Sequence, residues 1–361
     1  MNNSFDISSI FMVIVNKKSQ KSQKSKKSSY LLLAVLLLLT ASIGSFTMFN
    51  AYQNILPAKT LREKNVCVLQ FLIGMAIILA YFSLVFLCDW KRCVEFIEIW
   101  SQTGLQHDQE IINYIKSERK KYRLIITILV VVFAVTVVLF NPRYGQRLHQ
   151  MSVYQLIAVI SISFSYPALF SLVFDFPLQF SLIICTVFIR VNQRLEHLIE
   201  HSESIDGNIK SIRFMHSVGS QLTLKADQFI RYFTAVNYFI MISFMLINLY
   251  SIIFLSESLS DYFAGIGLQF VVISMTAIFT YYAIKINHLA SKGFHHAYQL
   301  TFAENCPSSF AETSLLIYRM GRNDIGLTFA NLFTITASFV TSLVTLCITI
   351  ILAFPTIKSQ F

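Results

Sequence analysis

Long hydrophobic runs separated by short polar segments dominate the chain. A helix needs roughly 17 to 25 mainly apolar residues to cross the hydrocarbon core of a bilayer. Six runs are long enough, and polar or charged residues flank each of them. They cover Tyr30–Phe49, Val66–Cys88, Leu124–Phe140, Phe233–Leu255, Tyr262–Ile284 and Leu332–Ile357. This pattern predicts an all-α membrane protein built from spanning helices.

A further apolar stretch, from Val153 to Ile189, has two possible courses. Pro167, Asp175 and Pro177 interrupt it, and it is long enough to cross a membrane once or twice. Hydropathy alone leaves both courses open.

The distribution of basic residues favours one crossing. Lysine and arginine accumulate in the cytoplasmic segments of membrane proteins. With one crossing, most of the 29 lysines and arginines fall on the side of the amino terminus, whereas two crossings leave more than half on the other side. We therefore predict seven transmembrane helices, a cytoplasmic amino terminus and an extracellular carboxyl terminus. The fourth helix is expected from about Phe174 to Ile189, after an extracellular loop or hairpin at Met151–Pro167.

Composition agrees with this class. Hydrophobic residues make up 55% of the chain and charged residues only 13%, whereas about a quarter of a soluble domain is charged. Glycine and proline are few, at 11 and 6, and no series of short alternating strands appears, so helices are favoured over a β-barrel. The net charge of +10 includes the basic segment NKKSQKSQKSKKSS near the amino terminus. We expect this segment to lie near anionic lipid and predict no nucleic-acid partner.

Two polar segments, Arg190–Phe233 and Ser308–Phe329, show apolar residues at helical spacing. This spacing is typical of amphipathic helices. We therefore expect the fourth, fifth and sixth helices to continue into the cytoplasm, and the helix before the last span to form a platform there.

No signature of catalysis or metal binding is present in the sequence. The motifs G-x-x-x-x-G-K-[ST], G-x-S-x-G and H-E-x-x-H are all absent. His288, His295 and His296 lie in a predicted inner loop without paired carboxylates or cysteines, so we predict solvated histidines rather than a metal site. We predict that the protein is not an enzyme and has no cofactor and no metal site.

Asp175 is an acid inside an apolar stretch, and such residues are costly and often functional. It also precedes Pro177, and an aspartate just before a proline is a common start signal of a helix. The sequence leaves open whether Asp175 caps a helix, contacts a ligand or does both.

Two other classes of helical membrane protein fit less well. A G-protein-coupled receptor needs an external amino terminus and the Asp-Arg-Tyr and Asn-Pro-x-x-Tyr elements, which this chain lacks. A secondary transporter typically shows inverted repeats with broken helices in corresponding positions, and no such pairing is visible.

One face of the last span has a stripe of small hydroxyl side chains. Its positions follow one another at alternating steps of four and three residues, which share one face of a helix. The positions are Ser338, Ser342, Thr345, Thr349, Leu352 and Thr356, and all of them except Leu352 have a hydroxyl group. Such a stripe forms either a helix–helix interface or the lining of a water-filled pore made by the same helix of several subunits.

The segment SLLIYRMGRNDIGLTFANLFTITASFVTSLVTLCITIIL, Ser314–Leu352, resembles the final part of insect gustatory receptors, a branch of the arthropod seven-helix chemoreceptor superfamily. In that family, Thr-Tyr, five hydrophobic residues and Gln-Phe close the last span. When ANLFTIT is aligned with the start of that span, the two pairs fall on Thr349–Ile350 and Thr356–Ile357, and only the first threonine is identical. FPLQFSLIICTVFIRVNQRLEHL is similar to the family's fourth helix, and SFMLINLYSIIF to its fifth.

The resemblance implies a gustatory (taste) chemoreceptor that acts as a tastant-gated, non-selective cation channel. Its partners would be a small-molecule tastant, cations, the lipid bilayer and further receptor subunits in a homo- or heterotetramer, in the plasma membrane of sensory neurons. The implied layout is a cytoplasmic basic tail (1–29), a ligand-binding bundle of helices one to six (30–284), a cytoplasmic anchor helix region (285–331), and a pore-lining last helix with a short extracellular end (332–361).

Two sets of site residues follow from this layout. The pore or gate candidates are Ser342, Thr345, Thr349, Thr356 and Ile357. The ligand-binding candidates, chosen as polar groups and aromatic walls of a mainly apolar pocket, are Asp175, Gln179, Phe244, Asn248, Tyr250, Gln269 and Phe270. Two alternatives remain: an odorant-receptor-like subunit that needs a partner, and a transporter or structural helical protein whose hydroxyl stripe only packs helices.

Overall fold

The computed structural model describes residues 23–140, 153–201, 205–303, 307–322 and 324–358. They form ten α-helices and one short hairpin within these ranges, which confirms the predicted helical architecture. The chain divides into two compact units, the first ending at Phe82 and the second beginning at Ser83.

The first unit contains two helices, α1 (Gln23–Ile55) and α2 (Leu61–Phe82), that pack closely together. A Cβ atom on Gly44 would lie 2.5 Å from Ile78 Cγ1, so only glycine permits this approach. Small residues at crossings between apolar helices let the backbones come together in this way.

The second unit contains the remaining elements. It begins with a π-helical turn at Ser83–Leu87, and a 3₁₀ turn at Leu105–His107 follows its first helix. Its long helices pack around α5. Its elements are α3 (Trp90–Gln102), α4 (Gln109–Phe140), α5 (Val153–His201), α6 (Ile205–Phe254), α7 (Leu259–Lys292), α8 (Phe294–Ala303), α9 (Pro307–Gly321), β1 (Thr328–Phe329), β2 (Phe333–Thr334) and α10 (Ala337–Lys358).

Helix α5 begins at Val153, so two sequence-based predictions are wrong. Residues 153–167 are helical and do not form the predicted loop, and the fourth helix starts well before Phe174; Met151 and Ser152 lie outside the described residues. Asp175 is therefore in the middle of a helix and does not cap its start. The two prolines are tolerated because neighbouring groups can satisfy the backbone where a proline interrupts the helical ladder.

The second half of α5 is surrounded by protein. In its segment from Phe174 to Glu200, 78% of the most apolar window is buried, compared with 33%, 39% and 28% in the apolar segments of α2, α6 and α7. Aromatic rings of α3, α5 and α6 form one cluster here, with Phe229 lying 5.2 Å from Trp90 and 5.5 Å from Phe180 between ring centroids. A helix that is apolar all round belongs in such a core.

The amphipathic segments predicted after Arg190 are ordered helices that share a second core. Buried residues of α5, α6, α8 and α9 meet there. They are Val191, Leu195, Leu198, Ile209, Ile212, Ala297, Leu300, Leu316 and Met320.

Four helical segments of the described residues are long and apolar enough to cross a membrane. They are Glu63–Leu87, Phe174–Glu200, Asn208–Phe254 and Leu259–Phe302, and Ala337–Ala353 is a shorter apolar helix. The predicted total of seven spans and the orientation of the termini remain predictions.

A small hairpin, which the sequence did not predict, precedes the last helix. Strand β1 pairs antiparallel with β2, so that Thr328 lies opposite Thr334. The turn places Ala330 and Asn331 at φ values of 49° and 63°, as the central residues of a type I′ turn require. The last helix therefore begins at Ala337 and not at Leu332 as predicted.

Candidate functional site

The face of α10 that contains the hydroxyl stripe is exposed in the single chain. Ser338, Ser342, Thr345 and Thr349 are all exposed, and Leu352 is 71% exposed. The residues of α10 that are partly covered lie on the other side of the helix. They are Phe339, Val340, Leu343, Cys347, Ile350 and Ile351.

In the part of α10 whose side chains are described, threonine hydroxyls donate to the backbone of their own helix. Thr345 Oγ1 donates to the carbonyl oxygen of Thr341, and Thr349 Oγ1 to that of Thr345, each at 2.9 Å. A hydroxyl has one proton and two acceptor lone pairs. Because the proton is used inside the helix, each of these oxygens presents only acceptor positions to its surroundings.

Two of the predicted gate residues, Thr356 and Ile357, belong to α10 by its backbone. Their side chains lie outside the described residues.

Asn248 and Gln269, two of the predicted ligand-binding residues, meet between α6 and α7. Asn248 is buried, and its Nδ2 donates to Gln269 Oε1 and to the carbonyl oxygen of Gly265, each at 2.9 Å. The residues predicted beside them differ in position: Phe244 is buried, Tyr250 is half-buried with its ring 5.2 Å from that of Phe254, and Phe270 is 57% exposed.

Asp175 and Gln179 belong to a different place, where α5 contacts α4. The Asp175 carboxylate accepts hydrogen bonds from both Nε and Nη2 of Arg123, at 3.1 and 2.9 Å. It also accepts from the Tyr122 hydroxyl at 2.7 Å and from Gln179 Nε2 at 2.7 Å. This two-pronged arginine–carboxylate geometry is among the strongest pairings in proteins. It positions Asp175 level with Arg123, where the apolar run of α4 begins.

Glu118 of α4 forms a second polar group with α7. Lys285 Nζ lies 3.5 Å from Glu118 Oε2, and the Tyr282 hydroxyl donates to the same oxygen at 3.2 Å. Lys121 Nζ is 2.8 Å from the other carboxylate oxygen. Burial by itself would raise the pKa of Glu118, but the hydrogen bond from Lys121 and the charge of Lys285 outweigh it and lower the pKa below its ordinary value. The Lys285 ammonium also lies 5.5 to 5.7 Å from the centroids of three tyrosine rings.

The ligand-binding candidates therefore fall into two groups that lie far apart. The ring centroids of Tyr122 and Tyr282 are 6.2 Å apart. Because Tyr122 bonds to Asp175, the Asp175 group lies beside Tyr282 of α7. Gln269 precedes Tyr282 by about 20 Å along the helix axis, at 1.5 Å per residue. One small molecule in one compact pocket would not contact both groups.

Sequence reasoning did not identify Arg123, Glu118 and Lys285 as partners of this polar layer. One signal was available: an ionised acid in an apolar segment needs a partner, and the motif YR of α4 ends a basic segment where an apolar run begins. The choice of partner depends on how α4 and α5 pack, which no spacing in the sequence specifies.

Two solved structures are similar to this chain over nearly its whole length. The insect olfactory receptor OR5 from Machilis hrabei in complex with eugenol matches with a TM-score of 0.64 and 12% identity, covering 97% of this chain and 97% of the receptor. A second structure of OR5 matches with a TM-score of 0.60 and 9% identity, covering 96% and 97%. No protein-family model and no curated protein sequence matches the chain. The chain therefore has the fold of an insect olfactory receptor.

Proposed function

We propose that the chain is a gustatory (taste) chemoreceptor: a tastant-gated, non-selective cation channel that assembles as a tetramer with α10 around a central pore. It would act in the plasma membrane of sensory neurons. The observation that supports this most directly is the exposed hydroxyl stripe of α10, on a chain with an insect olfactory receptor fold.

The arrangement of α10 is difficult to explain for a helix that only packs within its own chain. Its partly covered side has mainly apolar residues, whereas the described residues of its hydroxyl face, Ser338, Ser342, Thr345 and Thr349, are exposed. Copies of α10 around an axis would place these faces together and enclose a polar path.

The chemistry of the stripe favours cations. Because the hydroxyls of Thr345 and Thr349 donate to their own helix, their free lone pairs can accept hydrogen bonds from water or contact a cation. Such a lining needs no ring of carboxylates, and weak oxygen contacts let ions leave as readily as they enter.

The ligand would bind between α6 and α7, near Asn248 and Gln269, with Phe244, Tyr250 and Phe270 around it. The amide groups of the first two residues are already paired with each other, so a ligand with hydroxyl or carbonyl groups would exchange one of these hydrogen bonds for its own. Binding shifts the channel toward opening only if the ligand prefers the open state. Asp175 and Gln179 would then hold the bundle together and not contact the ligand.

Expression of the full chain alone, with recording of whole-cell current during a panel of sugars, bitter compounds and volatile phenols, tests the proposal. We expect ligand-evoked cation current that Thr349→Trp abolishes. Val344→Trp is the matched control, since Val344 is also exposed on α10 but lies roughly 100° around the helix from Thr345. Full current in Thr349→Trp at normal surface expression would contradict the pore assignment.

The same recordings separate the rivals. An odorant-receptor-like subunit gives current only with a co-expressed partner receptor. A transporter gives substrate uptake whose rate saturates, with no channel openings in single-channel recordings from membrane patches. In that case the hydroxyl stripe only packs helices.

A further inference from the structure

The segment between α9 and α10 is held by buried polar side chains of two helices. Asp227 of α6 is buried, and its carboxylate accepts a hydrogen bond from the backbone N–H of Thr328 at 2.6 Å. The Thr328 hydroxyl lies 2.8 and 3.0 Å from its two carboxylate oxygens. On the other side, Asn287 Nδ2 of α7 donates to the carbonyl oxygen of Ile325 at 3.0 Å.

The Thr328 hydroxyl connects Asp227 to the turn of the hairpin. Its single proton is donated to the carboxylate, and its oxygen accepts the backbone N–H of Asn331 at 3.2 Å. Asn331 and the preceding Ala330 adopt the left-handed backbone conformation, which is unfavourable for residues other than glycine. Asp227 therefore fixes the hydroxyl that helps to hold an unfavourable turn.

The hairpin in turn positions the first turn of α10. The backbone N–H of Ile335 donates to the carbonyl oxygen of Leu327 at 2.8 Å, and the Thr336 hydroxyl accepts the N–H of Phe339 at 3.3 Å as the helix begins. The ring of Phe333 is stacked on that of Phe329 and lies 4.8 Å from that of Phe339. A displacement of the hairpin would therefore displace the start of α10.

Helix α6 contacts this assembly at a second level. The ring of Tyr238 lies 6.1 Å from that of Phe329 and 6.4 Å from that of Phe339. Tyr238 follows Asp227 by about 16 Å along α6, and its hydroxyl is 2.5 Å from Thr280 Oγ1 of α7. The same pair of helices contains Asn248 and Gln269, so a change in their packing reaches both the proposed ligand site and the hairpin.

We propose that Asp227 is a positioning residue for gating. Through Thr328, its carboxylate holds the hairpin and the start of α10 against α6 in the ligand-free chain, and this contact sets the resting position of the pore helix. A carboxylate is expensive to bury, and its hydrogen bonds to the hairpin account for its presence here. The gating role rests on the function proposed above; the contact itself does not.

Hydrogen exchange of the purified full chain tests the contact. Asp227→Ala and Thr328→Val should speed exchange of the amides in 325–336 by about three- to tenfold, the shift expected for losing one hydrogen bond or two. Thr328→Ser keeps the hydroxyl and should match the wild type. Asp324→Ala is the matched control. Asp324 is an exposed acid beside the hairpin, and its carboxylate pairs with Arg319 and Arg322. Unchanged exchange in both Asp227→Ala and Thr328→Val would overturn the proposal.

Ligand-free current tests the gating role. At equal surface expression, Asp227→Ala should raise the ligand-free sodium current about three- to tenfold, and Thr328→Val less, since it keeps the backbone hydrogen bond. Addition of Thr349→Trp to Asp227→Ala should remove the extra current. If Asp227→Ala does not reach the surface, Thr328→Val alone decides.

The outcomes distinguish the two proposals. Faster exchange with wild-type ligand-free current, in a chain whose wild type conducts, would contradict the gating role and leave the channel function intact. A wild-type chain that conducts under no condition would overturn the channel function and the gating role together, while the exchange data would still decide the contact.

Discussion

The charged region of the second unit and helix α10 use their polar groups in opposite ways. In the charged region (residues 89–123, 175–231 and 285–324), ion pairs join different helices, as between Arg123 and Asp175 or Lys225 and Glu95. On α10, the hydroxyls of Thr345 and Thr349 bond to their own helix and are exposed in the single chain. The first region therefore joins helices of the same chain, whereas the described hydroxyl face of α10 is exposed and, under the proposed function, would face other subunits.

The largest effect is expected in the aromatic core of the charged region. Phe229 is fully buried among Trp90, Phe176 and Phe180. Phe229→Ala should cost about 3–5 kcal/mol of unfolding free energy because it leaves a cavity. Phe302→Ala is the matched control, since Phe302 is 76% exposed, and it should leave the melting temperature of the full chain in detergent nearly unchanged. Similar losses in both variants would contradict the described core.

The next effect concerns the buried ion pair. Asp175→Ala leaves the Arg123 guanidinium without its carboxylate, which costs several kcal/mol in a buried pair. The Arg123 side chain is 38% exposed, so solvent screening reduces the expected loss to roughly 2–4 kcal/mol. Asp324→Ala, which removes an exposed acid, should cost less than about 1 kcal/mol. Equal melting temperatures for the two variants would show that Asp175 is not paired.

A smaller, pH-dependent effect is expected at Glu95. Hydrogen bonds from Lys225 and Arg92 lower the pKa of Glu95 to about 2. A lowered carboxylate pKa stabilises the fold above the unfolded-state value, and this contribution is lost as the pH falls from about 4.5 toward about 2. Wild type should therefore melt slightly above Glu95→Gln at pH 7, and the difference should shrink as the pH falls through that window. A difference independent of pH would show that the charge of Glu95 does not contribute.

The smallest effect on stability is expected on α10. Thr345→Ala and Thr349→Ala remove exposed hydroxyls whose described hydrogen bonds are to their own helix, so each should change the unfolding free energy by less than about 0.5 kcal/mol. Thermal melting of the single chain in detergent measures this. A loss as large as that of Asp175→Ala would mean that the stripe packs within the chain.

The sequence predicted much of the fold because lipid imposes a simple rule of length and polarity. The helices, the apolar runs and the face shared by Thr345 and Thr349 follow from spacing alone. The start of α5 at Val153 does not follow from spacing. Pro167 and Pro177 mark the start of a helix only where no neighbouring helix compensates for the backbone hydrogen bonds that a proline interrupts. The partner of Asp175 was also beyond reach, because Arg123 lies 52 positions away and meets it only through the packing of α4 against α5.

The hairpin shows a second limit. FANLFTIT has the apolar character of a helix start, and the apolar run predicted the last span from Leu332. The left-handed turn at Ala330 and Asn331 is held by Thr328 and Asp227, and Asp227 comes from a helix a hundred positions earlier. The local sequence around the turn therefore cannot predict that contact.

The central claim is that the hydroxyl face of α10 lines a water-filled path for cations, and cysteine accessibility tests it most directly. In a Cys347→Ser background, Thr345→Cys, Thr349→Cys and Val344→Cys are each exposed to a positively charged methanethiosulfonate reagent during ligand-evoked current. Rapid block of Thr345→Cys and Thr349→Cys and unchanged current in Val344→Cys are expected if the hydroxyl face lines the pore. Block of Val344→Cys with unaffected current in Thr349→Cys would place the hydroxyl face outside the pore.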